Sequence, residues 1–405
     1  MKLSSQLRGR WQHLSTAIIL ALVFTAGFAI GNGRELTQAQ GGDTTPPADV
    51  QRDFEPFWQV FNLIKSDYLD DIDTSVLVDG AISGMVDALE DQYSGYMNPE
   101  VYDLLNSDLE GEIEGIGVVI HTVEETGEIE VVGVLEGTPA QLAGMMNGDI
   151  FVTVDGQEVA GMNQTELAVL VRGPAGSTVD ITVRRDNELI EFTVERAHII
   201  IPNVEYEILD GNYGYVKLNQ FTAEARHDLD NAFASIDVNS LNGLVLDFRD
   251  NPGGLLSSAI EIASAFVEEG TVVVEDFGDG NAQTFTANGD FAGITVPIVL
   301  LVNESSASAS ELVAGALQDS GAATIIGETT LGKGTVQTWH PLINGGGVRL
   351  TIARWLTPSG RWIHEQGIDP DITIEWTPES YNDPNDPQLA EALSFLQTQV
   401  AAPAQ

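Results

Sequence analysis

LVNESSASASELVAGALQDSGAATIIGETTLGKGTVQ, from Leu301 to Gln337, is the stretch from which the rest of the chain is read. It continues an apolar run, Ile298 to Val302, of the kind that forms a strand buried on both faces of a parallel sheet. A turn of small residues follows, then a helix with Leu312, Val313, Ala316 and Leu317 on one side. A short second strand, Ala323 to Gly327, leads to Lys333, which has a glycine on either side. Strand, serine turn, helix, strand and lysine thus succeed one another in one unit.

The serine turn carries two readings. Ser308-Ala-Ser-Glu311 matches the S-x-x-E capping box, which satisfies backbone N–H groups left over at a helix start. The same position suits a nucleophile, because a hydroxyl there sits beside free N–H donors and the positive end of the helix dipole. Both can hold for one residue. A nucleophilic serine needs a base. The chain has no G-x-S-x-G elbow and no S-x-x-K motif. His340 and His364 have no recognisable orienting partner and read as structural residues. Only Lys2, Lys65, Lys217 and Lys333 supply amines, and Lys333 alone lies in a glycine turn beyond a buried strand.

Taken together, S-A-S-A-S-E, a helix and G-K-G-T-V-Q resemble the signature of the carboxy-terminal processing peptidases, the tail-specific serine proteases. The resemblance extends from about Phe57 to about Ile374 and includes LTIARWLTPSGRWI from Leu350 and GIDPDI from Gly367. Trp362 departs from it, standing where a short residue is expected. The resemblance implies that Ser308 is the nucleophile, Lys333 the general base and Gln337 the residue that orients it. It also implies an oxyanion hole from the N–H of Ala309 and that of Gly253 or Gly254, in the turn Arg249-Asp-Asn-Pro-Gly-Gly254. Asn-Pro-Gly-Gly alone is turn chemistry, and Asp247 and Asp250 read as turn and capping residues.

The remaining segments read as follows. Residues 1–31 place Lys2, Arg8 and Arg10 before an apolar run from Ala17 to Ile30, as in a signal peptide or a membrane anchor. Either directs the rest of the chain outside the cytoplasm, to a periplasm or the cell exterior, with a membrane contact if the segment stays uncleaved. Residues 32–50, with GGDTTPPA, read as a linker. Residues 51–108 read as helical, with Phe57, Phe61, Ile64 and Tyr68 at helical spacing as core or interface; by the resemblance this arm can serve a homodimer. Residues 109–197 alternate short strands and glycine turns and resemble a PDZ domain. There Gly115-Ile116-Gly117-Val118 matches the loop that binds a terminal carboxylate, with the peptide added as a strand. Arg172 corresponds to a basic residue that relatives use to couple tail binding to proteolysis; on its own it reads as a solvated arginine. Residues 198–376 form the expected catalytic core and residues 377–405 a tail with a short helix.

The expected fold class is therefore α+β and multidomain: a helical arm, a β-barrel-like PDZ domain, and an α/β protease core like those of crotonases and Clp proteases. A net charge of −44 over 405 residues excludes nucleic acid as the partner, since phosphates need basic patches. The absence of cysteine excludes disulfides and thiolate metal sites, and no metal or nucleotide motif is present, so no cofactor is expected. The expected function is a serine endopeptidase that recognises free, apolar C-termini of polypeptides; the alternative is a PDZ-bearing binding protein on an inactive core. As base, Lys333 must lose its proton near neutral pH. That requires a fall of about three units from 10.4, roughly 4 kcal/mol, which burial can supply. Glu328 is the nearest acid after the strand and the one expected to oppose that fall.

Overall fold

The computed structural model describes residues 47–401 except 48, 110–112, 124–125, 136, 200, 279 and 377–384. The targeting segment and most of the linker lie outside the described residues. Among the described residues no helix is long and apolar enough to cross a membrane.

The uniformly apolar run becomes the strand Ile298–Val302, central in a six-stranded sheet. Its order is Val204–Leu209, Tyr213–Leu218, Leu244–Asp247, Ile298–Val302, Thr324–Gly327, Ile372–Thr373; only the first pair is antiparallel. Val299 to Val302 are fully buried because helices cover both faces. On one side lie the helices Ala225–Ser235, Leu256–Phe266 and Ala309–Ser320, packed on Leu218, Leu246 and Leu300. On the other, the helix Pro387–Ala401 sets Ala392 and Leu396 against Val245, Val299 and Ile326. What reads as a tail is thus part of the core, because the second sheet face needs an apolar cover.

The helix Ala309–Ser320 is not one-sided as its spacing predicts: Ala309 to Leu317 are all buried. The strand Thr271–Gly278 of a second sheet packs on the face turned away from the parallel sheet. That second sheet orders Gly95–Met97, Gly347–Leu356, Thr271–Gly278 and Asn281–Thr286, with Thr335–Pro341 also paired to Gly347–Leu356. So the N-terminal region is not wholly helical. After the helices Glu55–Asp67 and Thr74–Asp87 it adds a strand to this second sheet, because Gly95 to Met97 pair with Arg349 to Gly347. The helix Glu55–Asp67 buries none of its residues; Phe57 is 38% and Tyr68 61% exposed, so these are not core positions.

Residues 113–199 form a separate small unit. Five strands run in the order Val118–Thr122, Ile129–Val134, Ile150–Val154, Thr178–Arg185, Glu188–Glu195 around their own core of Ile129, Phe151, Leu167 and Ile181. The helix Gln164–Val171 packs against the edge strand Val118–Thr122 and begins with a full Asn163/Glu166 capping box. A two-stranded ribbon, Ile113–Gly115 with Ala197–Ile199, marks the entry and exit of this unit.

Candidate active site

Ser308 sits at the junction between the serine turn and the helix, with φ 56° and ψ −111°. That region of backbone space is costly for a residue with a side chain, by about 1–3 kcal/mol, and persists only where the surroundings impose it. Here they do. The Asn251 carbonyl accepts the Ala307 N–H at 3.1 Å and the Ser310 hydroxyl at 2.9 Å, and the Glu311 carboxylate accepts the Ser308 N–H at 2.7 Å. The chain lacks the G-x-S-x-G spelling, yet the serine is still displayed on a sharp strained turn, as a strand-to-helix elbow does.

Glu311 reaches much further than a capping residue. Its side chain is fully buried, and it also accepts the Thr330 hydroxyl at 2.6 Å, the Gly332 N–H at 2.6 Å and the Lys333 N–H at 2.9 Å. One carboxylate therefore ties the backbone of Ser308 to that of Lys333. Four donors aimed at two oxygens fit the ionised form, which only accepts. Burial pushes the Glu311 carboxyl up, and these hydrogen bonds oppose that push.

The Lys333 amine lies in a largely desolvated place. Burial lowers its pKa below the ordinary lysine value, the Arg349 guanidinium lowers it further, and Glu311 acts in the other direction. The carboxylate that opposes the fall is thus Glu311 and not Glu328. Glu328 is turned towards Gln388, whose amide donates to it at 3.3 Å, and the Trp376 N–H. The Lys333 carbonyl is held by the Trp355 indole N–H at 2.9 Å, and the Tyr93 ring lies 5.6 Å from its Nζ. Gln337 is close by, but its amide donates to Thr335 and Thr351, at 2.9 and 3.2 Å, rather than to the lysine.

Asn251 shapes the glycine turn opposite the serine. Fully buried, it donates to the Leu218 carbonyl at 2.7 Å and accepts the Gly253 N–H at 2.9 Å. That occupies the Gly253 donor. No acceptor among the described residues takes the Gly254 N–H; of the two glycines it is Gly253 that abuts the serine, a Cβ added there standing 2.9 Å from the Ala309 nitrogen. Gly254 has φ 147°, and a Cβ there would stand 2.4 Å from the Phe221 carbonyl oxygen, so only glycine fits. Asp247 is more than a turn residue: buried, it pairs with Arg249 and accepts the Tyr215 hydroxyl at 2.7 Å. Asp250, at φ 63°, accepts from the Asn303 side chain at 2.9 Å.

Ser308, Ala309, Gly253, Gly254, Lys333 and Gln337 all line one cavity of about 450 Å³. Its apolar wall includes Leu255, Leu256, Leu312, Val336 and Trp339. Neither histidine lines it. His340 is exposed, whereas His364 stacks on Trp362 at 5.2 Å and meets Tyr93 edge-on at 5.7 Å. The His364 Nδ1 is buried without a hydrogen-bond partner among the described residues. Trp362 itself donates to the Gly334 carbonyl at 2.9 Å, beside the lysine.

A second cavity, about 300 Å³, runs between the strand Val118–Thr122 and the helix Gln164–Val171. Gly115, Ile116, Gly117, Val118 and Arg172 line it, with Ile120, Phe151, Leu167 and Val171 giving an apolar floor. Gly117, at φ 84°, lies so close to Thr138 that an added Cβ would stand 2.4 Å from the threonine Cβ. Leu105, on the helix Pro99–Leu109, lines both cavities, so the two share a wall.

Comparison with known proteins agrees with this division. Residues 212–374 match the model of peptidase family S41, residues 130–185 that of the PDZ domain, and residues 27–101 that of the activating protease CtpB N-terminal domain. The chain is 36% identical over 366 residues to carboxy-terminal processing protease CtpA of Bacillus subtilis, covering 89% of this chain and 76% of that one. It is 36% identical over 330 residues to the carboxyl-terminal-processing protease of Synechocystis, covering 79% and 77%. Among solved structures it resembles a photosystem II D1 C-terminal processing protease, with TM-score 0.58 and 29% identity over 81% of this chain and 90% of the other. With an α+β fold, a PDZ domain and this catalytic core, the chain belongs to the carboxy-terminal processing proteases of family S41 and is a serine-type peptidase.

Proposed function

We propose that the chain cleaves polypeptides with a Ser308–Lys333 dyad through an acyl-enzyme, after its PDZ groove has bound the substrate's C-terminal tail. The carrying observation is that a strained serine and a half-buried lysine of lowered pKa line one cavity with the glycine turn. In this reading neutral Lys333 takes the Ser308 hydroxyl proton as the oxygen attacks the scissile carbonyl. The N–H groups of Ala309 and Gly254 hold the oxyanion. The lysine ammonium then protonates the leaving amine, and water hydrolyses the ester, with Lys333 again taking a proton. Gln337 acts through Thr335 and Thr351, which fix the strand bearing it next to the lysine.

For tail recognition, the loop Gly115–Val118 offers backbone donors to a carboxylate, and the apolar floor accommodates an apolar terminal side chain. The shared wall at Leu105 and the position of Arg172 support coupling of tail binding to catalysis. The natural substrates would then be polypeptides with free apolar C-termini. The decisive comparison uses an unfolded polypeptide with such a tail, as free acid and as C-terminal amide, with Ser308→Ala as blank. The free acid is expected to be cleaved at least about tenfold faster, since the amide loses the charged partner of the loop. Equal rates would remove the role given to residues 115–118, and no cleavage of either would favour a binding protein.

We also infer that the catalytic part lies outside the cytoplasm, on the support of the basic and then apolar residues 2–30. A reporter enzyme active only outside the cytoplasm, fused after residue 401, is expected to be active; a silent but expressed fusion would refute this.

A further inference from the structure

We propose that Tyr93, from the N-terminal region, is a positioning residue for the base: its ring stabilises the Lys333 ammonium that forms when Ser308 gives up its proton. The inference rests on the Ser308–Lys333 reading and adds to it. A lysine base faces a conflict, because it must be neutral before attack and cationic just after. A carboxylate hydrogen-bonded to the amine would ease the second state but keep the lysine protonated in the first. Among the described residues none is so bonded to Nζ; Glu311 spends its oxygens on backbone N–H groups and Thr330. An aromatic face is a weaker partner for a cation than a carboxylate and has no charge of its own, so it favours the ammonium modestly. The Tyr93 ring centroid is 5.6 Å from Nζ, within the range of such contacts.

Tyr93 is also held in place. The Arg349 Nε donates to its carbonyl at 2.7 Å, its own N–H donates to Asp91 at 3.0 Å, and the next strand, Gly95–Met97, is paired into the second sheet. His364 packs edge-on against its ring, and Trp362 stacks on His364. The residue that departs from the family pattern, Trp362, thus backs the aromatic wall beside the base. The charged and titratable groups around the pair are Arg349 and Glu311 towards the lysine, and Asp91, Glu365 and His364 towards the tyrosine.

The test compares Tyr93→Phe and Tyr93→Leu with the unsubstituted chain, measuring kcat and KM on a tail-bearing polypeptide across pH. Leucine keeps the site apolar but has no π face. Its loss of ammonium stabilisation is expected to move the midpoint at which activity appears down by about 0.5–1 pH unit. Plateau kcat is expected to fall about three- to tenfold with KM within about twofold. Phenylalanine is expected to retain the midpoint and most of kcat. A midpoint that stays or rises in Tyr93→Leu overturns the proposal, as does a Tyr93→Phe that behaves like Tyr93→Leu. The midpoint does not depend on how much of a variant folds. Lys333→Ala in the same series separates the two levels: if it is inactive while the Tyr93→Leu midpoint is unmoved, the dyad stands and the tyrosine's role falls. An active Lys333→Ala removes the dyad and the tyrosine's role with it.

Discussion

Ser308→Ala and Lys333→Ala are each expected to reduce kcat/KM on a tail-bearing polypeptide by about 10⁴-fold or more, with tail binding unchanged. Residues that act as one catalytic unit are not additive, so the double variant should be no slower than either single one. Lys333→Arg is expected to fail equally, because a guanidinium stays protonated at any usable pH. In the unsubstituted chain activity should rise with pH through the Lys333 pKa. Burial and Arg349 depress that pKa, so the rise should be centred below the ordinary lysine value. Tail binding, followed by fluorescence anisotropy of a labelled peptide, shows whether each variant is folded. A Lys333→Ala protein with more than a few per cent of activity would contradict the dyad.

Glu311→Gln is the second large effect. The two sites of Glu311 Oε2 take the N–H groups of Ser308 and Lys333, while Oε1 takes Thr330 and Gly332. An amide can place an oxygen on only one of these pairs and must turn its NH₂ against the other, so that at least the Gly332 N–H loses its acceptor. Leaving such donors buried and unpaired costs about 1–3 kcal/mol each. The strained backbone at Ser308 should then relax, and kcat should fall by about 10²–10³-fold even with a good substrate. Removing the negative charge also takes away the influence that raises the Lys333 pKa. The remaining activity should therefore appear at lower pH than in the unsubstituted chain. A full pH–rate profile checks both points, and an unshifted profile with normal kcat would reduce Glu311 to a helix cap.

The unit from Ile298 to Gly327 was legible because its signals are local. A uniformly apolar strand, a serine turn, a helix closed by Gly321 and a second strand all follow from neighbouring residues. The alternation of short strands and glycine turns from residue 113 was legible for the same reason. Burial was less so. The helix after Ser308 has polar positions that predict a wet side, yet Ser310 and Glu311 are fully buried, one donating to the Asn251 carbonyl and the other accepting from Thr330, Gly332 and Lys333. Conversely, the aromatic spacing of Phe57, Phe61 and Tyr68 predicts a core or interface face on the first helix, and since none of that helix's residues is buried it is not a core face.

By itself the sequence determined which chemistry is available: a serine at a helix start, a lysine among glycines, a glycine turn after a buried strand, and no cysteine. Spacing along the chain carries that information, because helix starts and turns are made by adjacent residues. Only the tertiary structure decided that Glu311 rather than Glu328 faces the base, that Asn251 occupies the Gly253 donor, and that the helix Pro387–Ala401 covers the core. It also brought Tyr93 to Lys333, through a strand pairing between Gly95–Met97 and Gly347–Arg349. These contacts join residues far apart in the chain, and charge and burial act through space, so no local pattern encodes them.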